Sequence, residues 1–133
     1  MKRSSVISLT FGWLALLGGI ANAAVVATVP GSFQAGYVPP AVVIAKGEGI
    51  TYANGDVAPH NFVAASAYRT VKVAKKTKWC SGFKKGKCPL FWSQTVGMGK
   101  TAEVEGLGLV TPGKQYAFLC TLHPNMKGTL IVR

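Results

Sequence analysis

The chain has 133 residues, with three cysteines, two histidines, four carboxylates and a net charge of +11. Glu48, Asp56, Glu103 and Glu105 are its only acids, and no two are spaced for a paired-carboxylate glycosidase or an acid-rich magnesium or calcium site. The length suits one domain, or one domain plus a targeting segment, the 49% hydrophobic content argues against disorder, and the charge points to an anionic partner or surface without bearing on fold.

In chain order, residues 1–23 read as a secretory signal peptide. Lys2 and Arg3 supply the positive start, Val6 to Ile20 an apolar run, and Ala21-Asn22-Ala23 the small residues of a cleavage site. The run is about 15 residues, short of the ~20 that span a bilayer, so cleavage is expected rather than anchoring. Cleavage leaves a domain at 24–133 with a net charge of +9 and no integral membrane segment. Export to the periplasm or the medium makes disulfides admissible.

The mature chain carries its apolar residues in short runs broken by Gly, Pro, Asn and Asp. Strands are predicted at 24–29, 41–45, 50–53, 61–65, 70–73, 101–104, 115–121 and 129–132, where β-branched and aromatic residues such as Tyr52, Val63, Val71, Tyr116, Phe118 and Ile131 gather. Pro39-Pro40, Asn54-Gly55 and Pro112-Gly113 mark turns, since proline fixes φ and glycine permits positive φ. No window of ten residues or more has a helical period after residue 23. Eight short strands in 110 residues imply an all-β sandwich or barrel.

One stretch stands apart. From Arg69 to Lys87 the chain holds eight of the thirteen basic residues beyond the signal peptide and no acid, with Trp79 and Phe83 interleaved and Trp92 close behind. It reads as a loop or edge excursion between strands. Cys80, within it, and Cys88, at its end, lie eight residues apart, and a disulfide between them would close a ring with about 2.6 kcal/mol of loop entropy. The alternative pairs one of them with Cys120. Clustered lysines are ordinarily solvated surface, and the stretch contains no RNA- or DNA-binding motif, so nucleic acid is not expected as a partner.

The chemistry gathers near the end of the chain, in Tyr116-Ala117-Phe118-Leu119-Cys120-Thr121-Leu122-His123-Pro124-Asn125-Met126. Cysteine, histidine and methionine recur at every third position on one tight loop. The only other histidine, His60, sits far upstream in Ala58-Pro59-His60-Asn61-Phe62. If the two segments meet, the set is two imidazoles, one thiolate and one thioether, which is the blue-copper ligand set. Structural zinc has little use for a thioether, iron–sulfur clusters need more cysteines, and c-type haem needs a Cys-x-x-Cys-His signal that the chain lacks.

On these motifs the sequence resembles the cupredoxins, the plastocyanin, pseudoazurin and amicyanin group of small type 1 copper proteins. The upstream match is Gly55-Asp56-Val57-Ala58-Pro59-His60-Asn61-Phe62. The downstream match runs from Thr101-Ala102-Glu103-Val104-Glu105-Gly106 through Pro112-Gly113 and the Cys-His-Met loop to Val132. The Cys-x-x-His-x-x-Met spacing with proline after the histidine looks most like amicyanin.

The resemblance implies a Greek-key β-sandwich of about seven to eight strands. It also implies one copper ion cycling between Cu(I) and Cu(II), with His60, Cys120, His123 and Met126 as its ligands. Asn61 would join the His60 segment to the copper loop by hydrogen bonds. The implied function is single-electron transport between redox partners. Four protein ligands would leave no open copper position and no other catalytic constellation is present, so a monomer that is not an enzyme is expected, and its positive charge points to a redox partner with an acidic docking surface. Copper storage or delivery, or a basic anion-binding module in which copper is secondary, are the competing readings. Two departures from the family pattern are the basic, cysteine-bracketed stretch at 74–92 and Leu122, where proline often precedes the second histidine.

Overall fold

A computed structural model describes residues 23–70 and 87–133. The expected signal peptide up to residue 22, Cys80, residues 71–73 of the expected fifth strand and most of the basic stretch lie outside the described residues.

The strands are β1 (Ala24–Thr28), β2 (Ala41–Ile44), β3 (Ile50–Asn54), β4 (Val63–Ala64), β5 (Tyr68–Thr70), β6 (Lys87–Pro89), β7 (Thr101–Glu103), β8 (Gln115–Cys120) and β9 (His123–Val132), with one four-residue helix, α1 (Ser32–Ala35). β1, β3 and β7 form one sheet in that order. β2, β9, β8 and β4 form a second, and β5 pairs with β6 in a separate ribbon. The chain therefore passes from one main sheet to the other at almost every connection. This makes β1 and β3 parallel neighbours, and likewise β2 and β9, whereas hairpin neighbours would be antiparallel. The architecture is the expected all-β, cupredoxin-like sandwich, with seven of the described strands in the two main sheets.

Alternation in the sequence sets the faces. In β3 Ile50, Tyr52 and Asn54 are buried while Thr51 and Ala53 are half-buried, and in β2 Val42 and Ile44 are buried while Ala41 and Val43 are exposed. The inward residues form one core that includes Tyr37, Tyr52, Phe62, Phe91, Phe118 and Met126. Phe118 stacks on Phe62 at a centroid distance of 3.9 Å and takes the edge of Tyr37 at 4.9 Å. Gly128 is opposite Phe118 in the β8–β9 register, and a Cβ there would overlap the Phe118 ring. Glycine at 128 is what lets this aromatic ring lie across the neighbouring strand.

Several elements differ from the sequence expectation: β4 is shorter than 61–65, β5 starts at Tyr68, α1 has no counterpart in it, and β9 and β6 differ most. The last strand begins at His123 instead of residue 129, because Pro124 to Met126 bulge without ending the strand. The stretch before Phe91 contributes β6, which pairs Arg69 with Cys88 in register and brackets the basic excursion. The Arg69 guanidinium lies over the Trp92 ring at 4.5 Å, so this basic residue is engaged with the body of the domain. Among the described residues, no helix is long and apolar enough to cross a membrane.

Candidate metal centre

Two strand ends and one connecting turn build the site. β8 ends at Cys120 and β9 starts at His123, and the two residues oppose each other across the turn Thr121-Leu122. Opposed residues of an antiparallel pair project to the same face, so a Cys-x-x-His spacing brings thiol and imidazole together. The Cys120 sulfur lies 3.7 Å from His123 Nδ1. The register then jumps: Leu119 pairs with Lys127, whereas Cys120 pairs with His123. Pro124, Asn125 and Met126 take up the difference as a bulge, which re-aims the strand. Met126 is thereby turned inward, 1% exposed, into the same core cluster as Cys120.

His60 arrives from the other direction. Its backbone makes a two-bond bridge with Val96, N–H to carbonyl at 3.2 Å and the reverse at 3.0 Å. Its ring is fully buried, and its Nδ1 lies 3.1 Å from His123 Nδ1. His60, Cys120 and His123 each offer one ligand atom, and the three atoms lie within 4.8 Å of one another. The structure therefore brings these three sequence-predicted residues together, across 60 residues of chain.

Asn61 joins the two segments. Its side-chain NH2 donates to the hydroxyls of Thr121 at 2.7 Å and Thr95 at 3.0 Å, and its amide oxygen accepts from the Thr121 N–H at 2.9 Å. The Asn61 carbonyl accepts from the Tyr37 hydroxyl at 2.6 Å. The residue after His60 is thus tied to the residue after Cys120 and to the aromatic core.

Sequence reading missed the role of Asp56. Its carboxylate Oδ2 accepts from His60 Nε2 at 2.8 Å, and Oδ1 accepts from the Val57 N–H at 2.8 Å. A carboxylate has no proton to give, so this contact places the His60 proton on Nε2 and leaves the Nδ1 lone pair facing His123 and Cys120. The His60 hydrogen bond, with the Val57 N–H adding to it, holds the Asp56 carboxyl below the usual carboxylate range despite its burial. The available signal was Asp56 four residues before His60, inside the motif that carries the resemblance.

The donor set fits copper. Two ring nitrogens and a sulfur converge in a buried pocket, and a nearby methionine is buried in the same cluster, a mixture of soft and borderline donors that suits a metal working as both Cu(I) and Cu(II). The burial is uneven: His60 and Cys120 are fully buried and His123 is half-buried. Exposed apolar residues lie beside both histidines in the chain and on α1. Val57, Leu122 and Phe33 are exposed, as are Pro59 and Pro124, and Ala58 is half-buried. The Phe33 ring, on α1, lies 6.5 Å from the His123 ring, a neighbour that the sequence did not reveal.

The family model "Copper binding proteins, plastocyanin/azurin family" matches residues 24–133. Among solved structures, the chain is similar to a purple cupredoxin from Nitrosopumilus maritimus, with 22% identity and a TM-score of 0.56 over 83% of this chain and 99% of that one. It is also similar to amicyanin from Paracoccus versutus, with 22% identity and a TM-score of 0.53 over 85% of this chain and 83% of that one. No curated protein matches it.

Proposed function

The chain belongs to the plastocyanin/azurin family of copper-binding proteins, and we propose that it is an exported carrier of single electrons whose one copper ion is held by His60, Cys120, His123 and Met126. The observation that carries this reading is the convergence of His60, Cys120 and His123 on one buried point, with only His123 reaching the surface. Copper bound there would supply the one-electron couple. The protein's part is to keep one donor geometry for both oxidation states, so that little has to move when an electron passes.

Rigidity of this kind has a visible source. Asn61 ties the two ligand-bearing segments together, and the aromatic core lies directly beneath both. Electrons enter and leave at the half-buried His123, the one donor of the convergent three with a path to solvent that is not blocked by the core. Exposed Leu122, next to His123 in the chain, and exposed Phe33, whose ring lies 6.5 Å from the His123 ring, give a partner an apolar surface from which water can be excluded. The excess of basic residues steers the protein to an acidic redox partner, an attraction that acts on encounter rate and fades with salt.

Residues 1–23 serve in this reading as a cleaved signal peptide and 24–133 as the mature, monomeric, periplasmic or secreted domain. Cys80 and Cys88 form a disulfide in this reading, supported by Cys120 being a free thiol and Cys88 being fully buried on β6. Four protein ligands leave no open position for a substrate on copper, so catalysis is not proposed.

Burial of the donors favours a carrier over a copper-delivery protein, which needs ligands that an acceptor can reach. Electron self-exchange and chelator extraction of the copper-loaded protein separate the two. Rapid self-exchange with slow loss of Cu(I) to a chelator is expected. Rapid release to the chelator with slow self-exchange would establish delivery instead.

A further inference from the structure

Asp56 is the one buried acid of the four in the chain; Glu103 and Glu105 are exposed and Glu48 is half-buried. Among the described residues no Lys or Arg pairs with it, and the side chain it holds is the His60 imidazole, by the 2.8 Å hydrogen bond from Nε2. A buried carboxylate is costly unless it is well paired, and Asp56 faces the side of His60 away from Cys120 and His123. Its position is built with care. The Asn54 side chain is fully engaged: its oxygen accepts from the Asp56 N–H at 2.9 Å and from the Thr28 hydroxyl at 2.7 Å. The Asn54 NH2 donates to the Ala58 and Val96 carbonyls, each at 2.8 Å. Val96 is also the backbone partner of His60. At Gly55 a Cβ would meet the Thr28 carbonyl at 2.8 Å, so only glycine lets the turn sit this close to β1. One polar network thus fixes the carboxylate and the imidazole relative to each other.

We propose that Asp56 is a positioning residue for the copper site, aiming His60 Nδ1 at the metal and setting the reduction potential through the negative charge it holds behind the imidazole. The inference rests on the reading of His60 as a copper ligand. The sign follows from charge. A fixed anion behind the ligand stabilises Cu(II) more than Cu(I), because Cu(II) carries the larger positive charge, and a ligand hydrogen-bonded to a carboxylate is also a stronger donor. Asp56 therefore lowers the potential. Removing the charge while keeping a hydrogen-bond acceptor raises it.

The test compares the copper-loaded wild type with Asp56→Asn. Asparagine can still accept from Nε2–H, so the blue spectrum is expected to persist while the potential rises. Changes in ligand-orienting partners cost 10–100-fold in metal affinity; taking about tenfold as the loss of Cu(II) relative to Cu(I), the rise is about 59 mV for one electron. A blue Asp56→Asn protein with an unchanged or lowered potential overturns the inference and leaves the copper assignment standing. A wild type that shows no blue copper overturns both, and is recognised before any variant is compared.

A second readout needs no variant. In the Cu(I) wild type, NMR is expected to show the His60 Nε2–H as a slowly exchanging resonance shifted downfield by its carboxylate partner. A His60 Nε2–H that exchanges as fast as that of half-buried His123 would also overturn the inference, even if Asp56→Asn failed to fold.

Discussion

Replacing Cys120 by serine is expected to abolish the blue colour while leaving the fold in place. Cys120 is fully buried at the end of β8, with its sulfur 3.7 Å from His123 Nδ1. The intense band of a blue site comes from the thiolate–copper bond, and a serine hydroxyl keeps its proton at neutral pH and offers no comparable bond. The volume change is small, so the packing around it has little reason to alter. Absorption spectra of copper-loaded wild type and Cys120→Ser, with far-ultraviolet circular dichroism as the check on folding, make the comparison. A folded serine variant that keeps the intense visible band would show that Cys120 is not the copper thiolate.

The second large effect is structural. Phe118→Ala is expected to destabilise the domain by about 3–5 kcal/mol, the usual cost of truncating a buried aromatic to alanine. Phe118 is fully buried, stacked on Phe62 and edged by Tyr37, and it fills the space that Gly128 leaves open on β9. The cavity cannot easily collapse, because its walls belong to different parts of the chain, β9 at Gly128, the Asn61-Phe62 segment and Tyr37. Against a typical total of about 5–15 kcal/mol such a loss is severe. Urea unfolding of the apo-protein measures it as a fall in midpoint at constant slope. A loss below about 1 kcal/mol would mean that the aromatic cluster is not the mechanical base of the site.

These two residues lie two apart on one strand, and that closeness explains how much of the protein can be read from its sequence. The Cys-x-x-His-x-x-Met spacing is a local feature, since strand pairing alone brings Cys120 opposite His123. Pro59-His60-Asn61 is also local, and its meeting with the loop follows once the family pattern supplies the topology. The all-β sandwich was legible because the apolar residues come in short runs rich in β-branched and aromatic side chains and broken by turn residues, and the structure then buries alternate residues in β2 and β3.

What was not legible depends on three-dimensional placement. Asp56 looks in the sequence like any acid beside an Asn-Gly turn; its burial comes from Asn54 and Thr28 folding the turn back on itself. Phe33 sits in a short segment with no helical period, and only the fold carries it to within 6.5 Å of the His123 ring. The early start of β9 was hidden because the proline at 124 and the polar Asn125 suggest a loop, whereas the structure accommodates them as a bulge within the strand. β6 is only three residues long and includes a proline, below the length at which a sequence pattern can declare itself.

The central claim is that one copper ion is bound by His60, Cys120, His123 and Met126 and carries single electrons. The most direct test is an absorption and EPR spectrum of the copper-loaded protein, recorded through a reductive titration. An intense visible band with the narrow copper hyperfine splitting of a thiolate-bound site, bleached by one electron equivalent and restored on reoxidation, is the expected result. A colourless protein that takes up only zinc, or a pale copper protein with the broad splitting of a tetragonal nitrogen and oxygen site, would contradict it.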